Sequence, residues 1–185
     1  MISAPERIAT ERLLLARVSP ADAEAAFEAY AADPAVTRFL SWAPAAAVAD
    51  VARYFAGAAA AWDAGSLFTW SVRLVETGAL IGVADARVDA YMVNLSYVIG
   101  ARFWNRGYAT EAVRALCAWA AAQPDVARIW AVCAVDNPAS ARVLEKAGLV
   151  REGTLPRQAV LPNLGAGMRD CVCYTLERNE RARAY

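Results

Sequence analysis

The chain of 185 residues contains no histidine. Histidine is the usual general base of enzymes and a frequent ligand of catalytic zinc. Its absence therefore excludes Ser-His-Asp triads, Cys-His nucleophile pairs and most catalytic zinc sites. Any proton transfer in this protein must use carboxyl, hydroxyl, thiol or amine groups, or water.

The chain also lacks an excess of either charge, with 19 basic and 19 acidic residues. A balanced charge argues against a nucleic-acid surface or an anionic-membrane patch. Nor does any stretch reach the ~18–20 uninterrupted apolar residues of a membrane span, since even Ala43–Trp62 contains Asp50 and Arg53. The first residues have no basic-then-apolar signal pattern. We therefore expect a cytoplasmic protein.

Four cysteines are present, but none forms a Cys-x-x-Cys pair. Cys171 and Cys173 would point to the same side of a strand because side chains alternate along it. Free cysteines usually behave as small buried hydrophobes. We expect all four to be reduced and buried, and we expect no metal site.

A turn built from small residues lies between an apolar strand, Leu95–Ile99, and a helix predicted from about Thr110 to Gln123. Gly107 and Ala109 would let a ligand approach the backbone, and the unpaired amides at a helix start attract anions. Arg102 and Arg106 flank the turn. The Gly-Lys-Ser/Thr ending of nucleotide-hydrolase loops and the Gly-x-Gly-x-x-Gly fingerprint are both absent. The pattern predicts a phosphate-binding turn, with an ordinary strand–helix connection as the alternative.

The predicted element order is β-α-α-β-β-β-α-β-α-β-β, without a linker or a repeat. This order is typical of an α/β (α+β) protein with a mixed sheet and helices on both faces. Asn137-Pro138 starts the last helix, with Asn as the N-cap and Pro at the first helical position. A Pro/Gly-rich loop, Leu155–Gly167, is expected between the last two strands. We predict one domain over residues 1–185.

Several motifs resemble the GNAT N-acetyltransferases, and in particular their RimJ/RimL branch. Gly107-x-Ala109 resembles the end of the acetyl-CoA signature Arg/Gln-x-x-Gly-x-Gly/Ala. The stretches Trp104-Asn-Arg-Gly-Tyr-Ala-Thr-Glu-Ala112 and Asn137-Pro-Ala-Ser-Ala-Arg-Val-Leu-Glu-Lys-Ala-Gly148 are similar to segments typical of the branch. So are Thr10–Leu15, Asp33–Leu40, Leu80-Ile-Gly82, Glu152-Gly153 and Arg169-Asp170, in the same order along the chain.

The resemblance implies a GNAT fold. Such a fold has a mixed, mostly antiparallel sheet of about six to seven strands with helices on both faces. A splayed cofactor cleft lies between the fourth and fifth strands. It also implies acetyl-CoA as co-substrate, an amine acceptor and a homodimer. The cofactor-binding residues implied are Tyr97, Val98, Ile99, Arg102, Trp104, Asn105, Arg106, Gly107, Tyr108, Ala109, Thr110, Asn137, Ser140 and Arg142.

Catalysis is implied for Ser140, as the hydroxyl that assists the departing thiolate, and for Asn137. Both residues also suit a plain structural role, because Asn is a common N-cap and Ser is common in a first helical turn. The tyrosine that many members use to protonate the thiolate would fall at Leu144, so this role is vacant. The loop region of the branch's glutamate base, Arg157–Val160, contains no carboxylate. The remaining carboxylates considered as bases are Asp85, Asp89, Glu111 and Glu152.

The leading hypothesis is an acetyl-CoA-dependent N-acetyltransferase in which an amine attacks directly in a ternary complex. The acceptor is either the α-amine of a protein N-terminus, as for ribosomal proteins, or a small amine. The main alternative is a catalytically silent CoA-binding or sensor module. A nucleotide-phosphate enzyme would need a metal-binding carboxylate and a lysine at the same turn.

Overall fold

The computed structural model describes residues 2–176, and these residues form an eight-stranded sheet with the order β1-β2-β3-β4-β5-β6-β8-β7. All neighbouring strands are antiparallel except β5 and β6, which are parallel. The predicted mixed sheet is confirmed. The strands are β1 Arg7–Ala9, β2 Leu13–Arg17, β3 Leu67–Leu74, β4 Leu80–Asp89, β5 Met92–Ile99, β6 Arg128–Ala134, β7 Val150–Val160 and β8 Met168–Thr175.

The strand count exceeds the predicted six to seven because β1 is a separate edge strand. This strand has three residues and pairs with β2, from Arg7 opposite Ala16 to Ala9 opposite Leu14. So short a segment has no periodic pattern that a sequence could show. The predicted fourth and fifth strands are therefore β5 and β6.

Among the described residues, five α-helices surround the sheet, and proline sets the start of two of them. Asp33 precedes Pro34, and its Oδ1 accepts a hydrogen bond from Ala35 N at 2.8 Å. Asn137 does the same before Pro138, accepting from Ser140 N at 3.1 Å. The predicted Asn cap is thus confirmed. The helices are α1 Ala23–Ala26, α2 Pro34–Thr37, α3 Val48–Asp63, α4 Tyr108–Ala121 and α5 Pro138–Lys146, and a π-helical turn, Phe27–Ala31, extends α1.

Two apolar cores lie on opposite faces of the sheet. In β4, Ala84 and Ala86 belong to the larger core with α4 and α5, and Val83 belongs to the smaller core with α1 and α3. Alternation along the strand therefore turns Asp85 toward the smaller core. The larger core includes an aromatic cluster of edge-to-face pairs among Trp62, Phe68, Trp70 and Trp119.

A wedge opens in the sheet between β5 and β6. Their parallel ladder has three register pairs and ends at Asn94 opposite Trp130. Beyond this point Leu95–Ile99 continues to pair with β4, and Ala131–Ala134 pairs with β8. The predicted splayed cleft is present at this position.

The predicted loop Leu155–Gly167 is wrong in its first half. Strand β7 continues to Val160, and its register against β8 shifts between Leu155 and Ala159. Pro156 cannot donate to a ladder and Arg157 has φ 50°, so this bulge absorbs residues that a sequence pattern assigns to a loop.

Two smaller expectations concern thiols and membranes. All four cysteines are free and buried, as predicted. Within residues 2–176, no helix combines the length and the apolar character needed to cross a bilayer.

Candidate active site

The turn between β5 and α4 is held in an unusual backbone conformation. Asn105 has φ 60° and Gly107 has φ 82°, both in the left-handed region, where glycine costs least. The Trp104 indole Nε1 donates to Ile99 O at 2.7 Å and ties the turn to the end of β5. The first helical hydrogen bond of α4 runs from Glu111 N to Gly107 O. The amides of residues 108–110 precede that bond and are available to an anion, and the phosphate-binding turn stays a prediction.

Arg12 stabilises this turn, although the Thr-Glu-Arg motif to which it belongs does not by itself indicate this role. Its Nη1 donates to Arg106 O at 3.0 Å, and its guanidinium lies 4.9 Å from the centre of the Tyr108 ring. Its Nε donates to Glu111 Oε2 at 2.7 Å. The start of β2 thus braces the turn from the side. The Thr-Glu-Arg motif was the available signal, but nothing local shows what Arg12 contacts.

Glu111 is therefore a structural carboxylate rather than a base. In addition to the hydrogen bond from Arg12, Glu111 accepts a hydrogen bond from the Thr10 hydroxyl at 2.7 Å. Partial burial raises the pKa of Glu111, but the Thr10 and Arg12 hydrogen bonds and the Arg12 charge outweigh burial, so the pKa lies below its ordinary value. A carboxylate stabilised in its ionised form has little tendency to take a proton.

A groove of about 570 Å³ follows the exposed face of α4 away from the turn. Its basic side chains come from Arg12, Arg114 and Lys146, and Gly107 and Thr110 lie on its wall. A β-carbon at Gly107 would lie 3.3 Å from the Arg12 guanidinium and would narrow the groove at the turn. Glu11 and Glu111 also line the groove, and Glu111 pairs with Arg12, so Arg114 and Lys146 are the cations left to attract a phosphorylated ligand.

Across the wedge, the side chain of Tyr97 on β5 meets Ser140 on α5. The Tyr97 hydroxyl and Ser140 Oγ are 2.7 Å apart, and the Tyr97 hydroxyl also lies 3.3 Å from Ser140 O. Burial raises the pKa of Tyr97 above its ordinary value, so it stays protonated at neutral pH. Burial also raises the pKa of the Cys133 thiol to about 11, opposed by the Ser140 hydroxyl beside it. The two hydroxyls form a donor pair between β5 and α5.

The other predicted site residues have mixed positions. Ile99 is buried in the larger core, whereas Val98 packs against the smaller one. Arg102 is exposed and lies over the Phe103 ring, and Arg142 is exposed on α5. Leu144 is fully buried in the core, so its position offers no group to the wedge. Within residues 2–176, no three potential metal-ligating side chains come together.

Gly82 allows β4 to approach β5 closely where Val98 lies. A β-carbon on Gly82 would fall 2.1 Å from Val98 O, far inside contact distance. Any larger residue would displace the segment of β5 that borders the wedge. This explains a glycine in the Leu-Ile-Gly motif.

Of the remaining candidate bases, Glu152 and Asp89 are poorly placed. Arg128 binds Glu152 through both nitrogens of its fork, with Nη1 2.9 Å from Oε1, and these hydrogen bonds hold the pKa of Glu152 below its ordinary value. Asp89 is exposed at the end of the β4–β5 hairpin. Asp85 differs from both, because burial raises the pKa of its carboxyl to about 6.

One further contact joins two loops beside the smaller core. Asn163 Nδ2 donates to Thr37 O at 2.7 Å and to Trp42 O at 2.8 Å. It therefore fastens the loop between β7 and β8 to the segment that follows α2. This asparagine lay in the Pro/Gly-rich loop, and no motif singled it out.

Comparison with known proteins agrees with this architecture. The family model described as acetyltransferase (GNAT) domain matches residues 12–150. An uncharacterized N-acetyltransferase, YoaA of Bacillus subtilis (strain 168), is 29% identical over 157 residues, which cover 83% of this chain and 88% of that protein.

Among solved structures, a GNAT-family acetyltransferase from Bacillus anthracis is 25% identical, with a TM-score of 0.79, and covers 92% of this chain and 97% of its own. RimL, described as a ribosomal L7/L12 α-N-protein acetyltransferase in complex with coenzyme A, shares the fold with a TM-score of 0.82 at 19% identity, over 92% of this chain and 97% of its own. The family match covers most of the sequence, and the fold is the one that the RimJ/RimL resemblance predicted. The chain belongs to the GNAT family of N-acetyltransferases.

Proposed function

We propose that this protein transfers acetyl from acetyl-CoA to a primary amine, by direct attack of the amine in a ternary complex. The observation that carries the proposal is the pair of hydroxyls, Tyr97 and Ser140, at the wedge between β5 and β6. Tyr97 lies on β5, the strand that runs directly into the amide-rich turn at the start of α4, and Ser140 reaches it from α5. A phosphate site and a proton donor are thus arranged along one strand.

The residues present fit acetyl-CoA. Its diphosphate suits the amides of residues 106–110, where Gly107 leaves the backbone accessible and Arg12 and Arg106 add positive charge. Its pantetheine amides suit the edge of Leu95–Ile99, which faces β6 beyond the end of their ladder. Asn105, Tyr108, Ala109 and Thr110 complete the turn, and Arg142 supplies a further exposed cation.

When bound, the cofactor supplies an activated acetyl thioester. A backbone N–H near Tyr97 or Val98 polarises its carbonyl in the manner of an oxyanion hole. Ser140 and Tyr97 are the hydroxyls that would protonate the departing sulfur. Asn137 orders the start of α5 and so fixes Ser140, whose amide it caps.

The preferred acceptor is an α-amine at a protein N-terminus. An unperturbed α-amine has a pKa near ~8, against ~10.4 for lysine, and so reaches the neutral form more easily. RimL, which is described as an α-N-protein acetyltransferase, supports this choice through a shared fold. A small amine is the alternative acceptor.

A silent CoA-binding module is the second candidate function. The burial of Leu144 favours it, because the position of the family's tyrosine has no hydroxyl. The Tyr97–Ser140 pair argues against a silent module, since these two residues supply hydroxyls at the wedge in place of the missing tyrosine.

The first experiment is thermal unfolding with acetyl-CoA, CoA or ATP, followed by acetylation assays. A ligand that binds only the folded state raises the midpoint. We expect acetyl-CoA and CoA, but not ATP, to raise it. The assay panel contains peptides with free N-terminal Ser, Thr, Ala or Met, an N-terminally blocked lysine peptide, and spermidine. Binding without acetylation of any of these amines would favour the silent module.

The compartment and assembly follow from the same proposal. A cytoplasmic protein and a homodimer are expected for an enzyme of this kind, and a single domain over residues 1–185 is proposed with them. Sedimentation at working concentration tests the dimer, and a monomer would contradict it.

A further inference from the structure

A row of three polar side chains crosses the sheet on the side of the smaller core. Thr69 on β3, Asp85 on β4 and Ser96 on β5 are direct register partners. Thr69 is fully buried, whereas Ser96 at the other end of the row is exposed. Asp85 is thus connected to solvent through the Ser96 end.

The Asp85 carboxylate lacks the partners that a structural ion pair would provide. Its Oδ2 accepts from the Ser96 hydroxyl at 3.2 Å, while Oδ1 is buried without a hydrogen bond. The Thr69 hydroxyl lies close enough to lower the pKa of Asp85, yet its Oγ1 has no hydrogen bond of regular geometry. An unsatisfied buried carboxylate reduces stability, and such groups are concentrated at functional sites.

The groups that face Asp85 come from each neighbouring element. The guanidinium of Arg87 lies on the same face of β4 and favours the ionised carboxylate. The phenols of Tyr30, on the π-helical turn, and Tyr54, on α3, both interact with the Asp85 charge, and Asp22 acts on Tyr30. Both phenols have pKa values raised chiefly by burial, so they remain neutral. Arg87 is the cation among these groups.

Strand β5 places this row next to the proton-donating pair. Ser96 and Tyr97 are consecutive, so their side chains point to opposite faces of the sheet. Tyr97 meets Ser140 on the side of α4 and α5, and Ser96 meets Asp85 on the other side. An acetyl group held at the backbone of residues 97 and 98 would lie between the two pairs.

We propose that Asp85, acting through the Ser96 hydroxyl, accepts the proton that the acceptor ammonium loses before attack; this inference rests on the proposed function. The ammonium gives a proton to Ser96 Oγ as the Ser96 hydroxyl proton passes to Asp85 Oδ2. The neutral amine then forms the C–N bond, the C–S bond breaks, and the thiolate takes a proton from the Tyr97–Ser140 pair. The second nitrogen proton restores that hydroxyl through water, and Asp85 returns its proton to solvent.

In this arrangement, Asp85 supplies the carboxylate base that the segment Arg157–Val160 lacks. An ordinary aspartate is a weak base, with a pKa of 3.8, whereas burial raises the pKa of Asp85 to about 6. It is ionised at neutral pH and is closer in pKa to an ammonium, as an effective general base must be. The acceptor would approach from the side of the smaller core, opposite α4.

The test is the pH dependence of kcat/KM for the best α-amine peptide, from pH 5 to 9. If Asp85 accepts the proton, the wild-type enzyme can bind the amine substrate in its ammonium form. Its kcat/KM then stays level between about pH 6 and 8 and falls below pH 6. Asp85→Asn must capture free amine, so its kcat/KM rises about tenfold per pH unit up to about pH 8, in contrast to the level wild-type profile. Ser96→Ala is expected to show the same slope. Asp89→Asn is the matched control, and we expect the wild-type profile.

The outcomes separate this inference from the proposed function. A wild type that acetylates no amine contradicts the proposed function. An active wild type with a uniform loss in Asp85→Asn at every pH, or with a level profile in Ser96→Ala, overturns the proton path. The midpoint rise with acetyl-CoA must persist in each variant, which establishes folding. If Asp85→Asn fails this criterion, Ser96→Ala, altered at an exposed side chain, decides the question alone.

Discussion

The Tyr97 hydroxyl lies 2.7 Å from Ser140 Oγ, although the two residues are 43 positions apart in sequence. One comes from a strand and the other from a helix that follows the next strand. Either atom can donate, so a proton lost by one can be replaced by the other. In the proposed reaction, this pair would take the place of the tyrosine that is missing at Leu144.

Removing both hydroxyls should slow the chemical step. We expect Ser140→Ala combined with Tyr97→Phe to lower kcat by about 100-fold, because a positioned proton donor typically contributes that much or more. The midpoint rise with acetyl-CoA should remain. Tyr91→Phe, at an exposed turn, is the matched control. Unchanged kcat in the double variant would show that the pair has no part in the reaction.

Gly107→Glu should abolish cofactor binding without unfolding the protein. A carboxylate at the turn repels phosphates, and the nearest atom to the new β-carbon is the flexible end of Arg12. We expect the rise in midpoint with acetyl-CoA to vanish. Gly78→Glu tests backbone strain alone, because Gly78 also has a positive φ of 71° and open space around it. If acetyl-CoA raised the unfolding midpoint of Gly107→Glu as much as that of wild type, the phosphates would have to bind elsewhere.

Arg12→Ala should weaken the turn in a pH-dependent way. The pKa of Glu111 is held below its ordinary value of 4.5, so its stabilising contribution is present at neutral pH and is lost as pH falls below about 4.5. The difference in midpoint between wild type and Arg12→Ala should therefore shrink between pH 7 and pH 3. Arg53→Ala, which breaks an exposed ion pair with Asp50, should show little difference at any pH. A constant deficit for Arg12→Ala would mean that the ion pair contributes nothing.

Asp85 should have the opposite effect on stability. Its folded pKa of about 6 exceeds the ordinary value of 3.8, so the folded state binds more protons between these values. The free energy of unfolding therefore falls as pH rises from about 4 to 6, by up to ~3 kcal/mol. Asp85→Asn, always neutral, should be more stable than wild type at pH 7 and equal to it near pH 4, as measured by urea unfolding. Asp89→Asn should show no such trend, and a destabilised Asp85→Asn at pH 7 would contradict the expectation.

Asn163→Ala should affect the acceptor and spare the cofactor. It removes two hydrogen bonds, each worth roughly 1 kcal/mol, that fasten the β7–β8 loop to residues 37 and 42. We expect KM for the acceptor to rise severalfold while the acetyl-CoA midpoint rise is unchanged. Gln158→Ala, at an exposed position of β7, is the control. An altered response to acetyl-CoA would place this loop on the cofactor side.

Local rules predicted the parts of the site that depend on a few neighbouring residues. Asn137 before Pro138 gives a helix start from sequence alone, and Gly107 indicates a turn of small residues, which the structure forms with a positive φ. The alternation of β4 even shows that Asp85 and Ala84 face opposite sides. What alternation does not show is which helix covers Asp85, because that depends on how α1 and α3 pack.

The contacts that define the site join distant segments, and no pattern encodes them. Arg12 and Glu111 are 99 positions apart, and Asn163 and Thr37 are 126 apart. In β7 the local signal was misleading, since Pro156 indicates a loop, but pairing with β8 resumes at Ala159 beyond a bulge and continues to Val160. Tertiary pairing there outweighs the residue preference.

The short ladder between β5 and β6 divides the sheet into two halves, β1–β5 and β6–β8, which few residue pairs connect. Three register pairs join them, against eight between β4 and β5. Tyr97 belongs to the first half, and Ser140 lies on α5, which follows β6 of the second half. A small rotation of one half against the other, about the β5–β6 ladder, would separate their hydroxyls while every other ladder stayed intact. A ligand bound between the two halves would fix the angle between them. In the proposed reaction, cofactor binding would therefore set the distance between the two hydroxyls that protonate the leaving sulfur.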